Sequence, residues 1–284
     1  MAITSHIPSG TVTAHLHFFQ PPADGVAPFQ YVDSPPEGQP QRNFGFDTHA
    51  VPIRDARGQE LSFNLDNDAF VIIQGVPPSA EKDFTDDDSI QANYYPELEE
   101  LLLKHVPGST KVIFFDHTIR RADPNAHRAP VTRVHIDQTA TSAAMRVRKH
   151  LPADEAERLL AGRYRIINVW RPLNKNPVES FPLAFASSSK LKDKDVIPIE
   201  HRYNNGYTGQ TAGIQFNEGQ QWWYLSGMTG NERLLLECFD SEALKEGTGV
   251  KGGRVAHTAF EDPRMRVDAE GRESIEVRAL VFGP

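Results

Sequence analysis

From Lys111 onward the chain is a succession of short runs rich in β-branched and aromatic residues, separated by Pro, Gly and Asn. KVIFFDHTIRR (111–121), YRIINVWRPL (164–173), VIPIEHRY (196–203), ERLLLECFDS (232–241) and ESIEVRALVF (273–282) have the length and composition of strands. Many short strands at similar spacing, with few helices between them, predict a sandwich or barrel rather than a parallel sheet. The expected fold is mainly β with N-terminal helices (α+β), built on a double-stranded β-helix, the jelly-roll or cupin-like core. A length of 284 residues suits one domain, 1–284. Within it, 1–110 reads as an N-terminal arm and helical part, and 111–284 as the core.

Residues 88–105 predict the clearest helix: Ile90, Tyr94, Leu98, Leu101, Leu102 and His105 share one face, and Pro107-Gly108 ends it. A second helical stretch over 142–163 is broken at Pro152. Residues 18–45 are rich in Pro and Gly, yet the interleaved Phe18, Phe19, Phe29, Tyr31 and Phe44 predict that this arm packs on the body. Residues 62–75 read as a strand-and-turn pair, and Asn217-Glu218-Gly219 as a hairpin turn.

The net charge is −8, which argues against a nucleic-acid partner and fits a small-molecule one. The single cysteine, Cys238, excludes a disulfide framework and reads as a small core residue. No apolar run approaches the ~18 residues of a membrane span. The opening residues lack a basic segment followed by a long apolar core, so a cytoplasmic protein with no membrane partner is expected. A homodimer is the assembly considered.

Chemistry enters at VTRVHIDQT (131–139). His135 and Asp137 are two apart on a strand-like run, so both side chains, and that of Arg133, leave on one face. Taken alone, such a pair is most simply a core histidine and a turn-capping aspartate. A mononuclear iron site needs two histidines and one carboxylate with open positions beside them. Among the downstream histidines, His150 lies on a basic helical stretch and reads as a surface residue. His201 has strand context without a basic strand soon after it. His257, in GGRVAHTAFED, precedes a strand on which Arg272, Ser274, Glu276 and Arg278 alternate onto one face. An arginine there can clamp a carboxylate through two parallel hydrogen bonds.

In this order of motifs the chain resembles the iron(II)/2-oxoglutarate-dependent dioxygenase superfamily, whose jelly roll carries H-x-D, a distant His and an arginine, often as R-x-S. More narrowly, it is similar to natural-product oxygenases that include gibberellin-desaturase-like, cephalosporin-methoxylation-like (CmcJ-like) and AsaB-like hydroxylase-desaturases. The resemblance covers most of the chain. It rests on residues 112–121, 133–139, 167–173, 181–187, 222–241, 256–263 and 272–282, with the 94–112 region also fitting. It implies Fe(II) held by His135, Asp137 and His257, with 2-oxoglutarate and O2 as cosubstrates. Arg272 and Ser274 match R-x-S and would take the far carboxylate of 2-oxoglutarate. Arg278, on the same face, is the alternative clamp.

Asn168 is a further candidate for the cosubstrate, and Arg171, Tyr224 and Arg133 for the substrate. Asp116 and His117 read as a structural network, and His15 and His17 as core or surface residues. The activity implied is oxidation of an unactivated C–H bond of a small natural product or amino acid-like compound, by hydroxylation, desaturation or cyclisation. Two other readings stand beside it. One is a non-catalytic binding protein on the same fold. The other is a cupin-like metalloenzyme that does not use 2-oxoglutarate.

Overall fold

The computed structural model describes residues 7–121 and 129–283. The chain begins with β1 (Val12–Gln20), β2 (Phe29–Tyr31) and β3 (Gly45–Asp55), then a one-turn helix α1 (Leu65–Asp68) and β4 (Phe70–Ile73). The long helix α2 (Asp87–His105) leads into β5 (Lys111–Arg120) and β6 (His135–Ile136). Helices α3 (Ala140–His150) and α4 (Ala153–Leu160) precede β7 (Arg163–Pro172) and β8 (Leu183–Ala186). Six strands complete the chain: β9 (Val196–Arg202), β10 (Thr208–Ile214), β11 (Trp222–Tyr224), β12 (Arg233–Asp240), β13 (His257–Ala259) and β14 (Ser274–Gly283).

Two sheets result. One has nine strands in the order β1-β3-β11-β8-β13-β6-β10-β9-β2, and the other has five in the order β4-β12-β7-β14-β5. The architecture is mainly β with few helices, in two curled sheets consistent with a jelly roll. Among the described residues, the first 80 hold four strands, a 3-10 turn (Glu60–Ser62) and one α-helical turn where N-terminal helices were expected. β1 itself holds no Pro or Gly, so its apolar side chains alternate inward: Val12, Ala14, Leu16 and Phe18 are buried. Phe19, Phe29 and Phe44 are buried too, so the arm does pack on the body.

Helix α2 forms where the 3.6-residue pattern predicts. The Asp86 side chain accepts from the Ser89 N–H (2.7 Å), and acidic residues fill the first turn while Lys104 and His105 fill the last. It buries Ile90, Tyr94, Leu98, Leu101 and Leu102 against Ile167, Val169, Leu235, Ile275 and Val277 on one face of the five-stranded sheet. Each such side chain contributes roughly 1.5–3 kcal/mol. That face is thereby closed, and the opposite face of β7 and β14 is the one that meets the nine-stranded sheet.

Helices α3 and α4 divide at Pro152 as expected. The Thr139 and Ser142 side chains cap α3 reciprocally, which ends the strand-like run just after Asp137. Two local expectations do not hold. Residues 62–75 form a helical turn followed by β4. The turn at 217–219 is tight, its Gly219 N–H donating to Asn217 Oδ1 (2.9 Å), but it joins β10 to β11, which are not neighbours in the sheet. It is therefore not a hairpin turn.

Candidate metal centre

Strands β6 and β13 are antiparallel neighbours, and their register sets His257 directly opposite His135. Paired residues share a face, so the two imidazoles stand side by side, with ring centroids 4.4 Å apart. Asp137, two residues past His135, joins them: its Oδ1 lies 3.2 Å from His135 Nε2 and 4.0 Å from His257 Nε2. One ligand atom from each of the three residues falls within 4.8 Å of the others.

The rings are oriented by their far nitrogens. His135 Nδ1 donates to the Arg133 carbonyl (2.9 Å) and His257 Nδ1 to the Val255 carbonyl (3.3 Å). In each case the bond runs to the residue two before, and it leaves the Nε2 lone pair facing the cluster. Burial, then the neighbouring His135, pushes the His257 pKa down to about 4, so this imidazole is neutral at ordinary pH. Burial alone would raise the Asp137 pKa. The Arg278 guanidinium, followed by the two histidines, instead holds that carboxyl well below its usual range. Two imidazoles and one carboxylate, oriented in this way, form a donor set that suits iron(II).

The second oxygen of Asp137 is held from the other sheet. Its Oδ2 accepts from Asn168 Nδ2 (2.8 Å) and from Arg278 Nε (3.2 Å). Arg278 also donates to Asp116 (2.9 Å), Thr118 (3.1 Å) and Glu276 (2.5 Å). Its guanidinium is thus engaged by three carboxylates and a hydroxyl. Asn168, expected at the cosubstrate, spends its amide N–H on the aspartate. The Asp116 expectation of a structural network holds, but the hub of that network touches Asp137, which a single sequence does not signal. His117 points to the other face and bonds Tyr95 (2.9 Å).

Arg272 differs from Arg278. It is 5% exposed, its Nη1 donates to the Phe181 carbonyl (2.7 Å), and its guanidinium lies 5.6 Å from the Trp170 ring centre. Among the described residues its Nε has no partner and its guanidinium forms no ion pair. Burial, then Arg120, lowers its pKa to about 9. Ser274 is buried two residues on, so this face of β14 is interior rather than a solvated outer surface.

Arg133 also faces the cluster side, bonded to Gln30 (2.7 Å). His201 lies close by: burial, then Arg133, brings its pKa down to about 4, and its Nε2 meets Thr211 Oγ1 (3.0 Å).

Two other sequence candidates lie elsewhere. Trp223 pairs with Phe185 and Phe185 with His257, so Trp223 shares the histidine face and Tyr224 takes the opposite one. The Tyr224 hydroxyl donates to the Gly10 carbonyl (2.7 Å) and accepts from Arg264 (3.0 Å). Arg171 has the other parity from Asn168 on β7 and lies over the Phe84 and Tyr94 rings, on the α2 side. His150 is half-buried, stacked on Phe115 at 5.5 Å, rather than a surface residue. Cys238 is a fully buried core residue, as expected.

A mainly β fold consistent with a jelly roll, carrying a donor set that could hold one iron, is what the comparisons with known proteins address. A family model described as "Oxidoreductase/YMDC permease-like domain" matches residues 16–282. Among the described residues, no helix is long and apolar enough to cross a membrane. The hydroxylase/desaturase poxK of Penicillium oxalicum is 37% identical over 303 residues, spanning 97% of this chain and 92% of its own. The Fe(II)/2-oxoglutarate-dependent dioxygenase nvfI of Aspergillus novofumigatus is 34% identical over 276 residues, spanning 95% and 96%. Among solved structures, the iron and alpha-ketoglutarate-dependent endoperoxidase NvfI superposes with a TM-score of 0.84 at 31% identity, over 96% of this chain and 98% of that one. The chain belongs to this family of Fe(II)/2-oxoglutarate-dependent natural-product oxygenases.

Proposed function

We propose that the protein oxidises an unactivated C–H bond of a small natural product in secondary metabolism, using Fe(II), 2-oxoglutarate and O2. His135, Asp137 and His257 would hold the iron through Nε2, Oδ1 and Nε2. When bound, iron with 2-oxoglutarate and O2 supplies the oxidant while the keto acid is decarboxylated to succinate. The chain's own residues orient and exclude. Asn168 and Arg278 hold the far oxygen of Asp137, so its near oxygen stays aimed at the metal. Arg272, with Ser274 on its flank, takes the distal carboxylate of 2-oxoglutarate, and the Trp170 ring covers the guanidinium.

One observation carries this reading: Arg272 is a buried guanidinium with no carboxylate partner among the described residues, on the strand that also bears Arg278. An uncompensated buried charge is costly unless a ligand supplies the opposite one. A fold reading belongs to the same proposal. Residues 1–284 form one double-stranded β-helix domain, supported by β1 and β3 lying in the same sheet as β6 and β13. Cytoplasmic residence and a homodimer complete it, tested by fractionation and light scattering.

The direct experiment is succinate formation from 2-oxoglutarate with Fe(II) under air. Wild type releases succinate, and His135→Ala and Asp137→Ala fall to background. Full turnover in both variants would overturn the metal assignment.

A further inference from the structure

One cation beside the metal cluster has no part in the chemistry above. Arg133, bridged to His17 just before β6, has the parity of His135 and lies about 7 Å from it along the backbone. Its Nη1 donates to Gln30 Oε1 at 2.7 Å, and among the described residues it forms no ion pair. The neighbouring carboxylates are all engaged: Asp137 by Asn168 and Arg278, and Asp116 and Glu276 by Arg278. Arg42, Asp137 and Arg120 stand within electrostatic reach of Arg133, two cations against one carboxylate that Asn168 and Arg278 already engage. Arg42 lies over the Phe46 ring at 4.6 Å. It too forms no ion pair among the described residues, and Gln30 bridges to it in register.

Two arginines without carboxylates, one of them half-buried beside a metal site, repel each other and favour an incoming anion. A purely structural arginine at this position would be expected to have a carboxylate partner. Here, among the described residues, the guanidinium bonds a neutral amide. Because Arg133 lies two residues before His135 in extended chain, bridged to His17, an anion held there is within roughly 10 Å of the iron ligands.

We infer that the substrate is an organic acid, and that Arg133, flanked by Gln30 and Arg42, is the residue that selects it. The proposal rests on the iron and 2-oxoglutarate reading, and the experiment separates the two. The anaerobic protein with Fe(II) and 2-oxoglutarate is titrated with a panel of aromatic, fatty and terpenoid carboxylic acids and with their methyl esters. Perturbation of the visible charge-transfer band of the iron–keto-acid complex reports binding.

Acids are expected to act at concentrations about tenfold or more below their esters, the worth of one charge-assisted hydrogen bond. Arg133→Gln should erase that preference and Arg133→Lys recover part of it, with the 2-oxoglutarate requirement unchanged within about twofold. If the band forms and no acid outperforms its ester, the substrate class is overturned while the iron reading stands. The role of Arg133 falls, again with the iron reading intact, if the preference survives Arg133→Gln or if that variant chiefly raises the 2-oxoglutarate requirement. A band that never forms overturns the iron reading and this proposal with it.

Discussion

Asn168 on β7 and Arg278 on β14 stand directly opposite each other in the sheet register, and both donate to the same atom, Oδ2 of Asp137. The carboxylate is thus held by two neighbours on the five-stranded sheet, while the residues beside it in the metal cluster belong to the nine-stranded one.

The two donors should fail differently. Asn168→Ala removes one hydrogen bond from an uncharged donor, so metal affinity should drop about 10–100-fold with the fold intact. Arg278→Met leaves Asp116, Asp137 and Glu276 facing one another without a cation, and should cost about 3–5 kcal/mol of stability. Iron titration and urea unfolding of the two variants separate the effects; equal behaviour would show that Arg278 is not the hub.

Arg272→Ala should raise the KM for 2-oxoglutarate by about a hundredfold or more, because a buried charge-assisted contact is lost. Arg272→Lys should recover only part, since one ammonium cannot reproduce two parallel N–H bonds. Steady-state succinate release measures both, and an unchanged KM in Arg272→Ala would refute the clamp.

Metal should stabilise the folded chain. At a hundredfold excess over Kd, Fe(II) or Mn(II) under argon should add about 2.7 kcal/mol to unfolding, seen as a rise in Tm. The rise should vanish in His257→Ala and on chelation. A gain that persists in that variant would place the metal elsewhere.

Glu237 offers a pH test away from the centre. It is fully buried with both carboxyl oxygens unpartnered among the described residues, and burial, then Asp240, pushes its pKa well above the usual range. The folded state therefore keeps a proton that the unfolded state releases, so stability falls as pH rises from the ordinary carboxylate range toward the folded value. Glu237→Gln has no proton to lose. Its Tm should match wild type most closely in acid and exceed it increasingly toward neutral and alkaline pH. A constant difference across that range would contradict the assignment.

Gly213 pairs with His135 across β10 and β6, and a Cβ there would sit 2.8 Å from the Phe19 ring and 2.9 Å from Ile199 Cδ1. Gly213→Ala should destabilise by about 1–3 kcal/mol through overpacking. It should also weaken metal binding, because the strand carrying His135 must shift. Calorimetry with and without metal checks both.

Much of this site is legible in the amino-acid order alone. The two-residue spacing of His135 and Asp137 gives a common face in any strand, and the alternation of Ser274, Glu276 and Arg278 predicts one shared face of β14. What escapes are choices set by distant partners. Which side of β11 faces the histidines depends on its pairing with β8, so Trp223 rather than Tyr224 is on the inner face. For the same reason Arg171 faces α2. The strands of the first 80 residues are hidden because their Pro and Gly residues look like loop when the sheet that receives them is unknown. Which arginine at this end of the chain is engaged by carboxylates is also out of reach, since it depends on Asp116 and Thr118 across the sheet.

Strand β14 runs between β7 and β5 as an inner member of its sheet, although it is the last strand described. A nascent chain that has emerged only as far as residue 270 already contains His135, Asp137 and His257, but not the Arg278 that steadies the aspartate. The gap between β7 and β5 also stays open until then. The far oxygen of Asp137 would therefore gain its full set of donors only once β14 has been made and has inserted between its two neighbours.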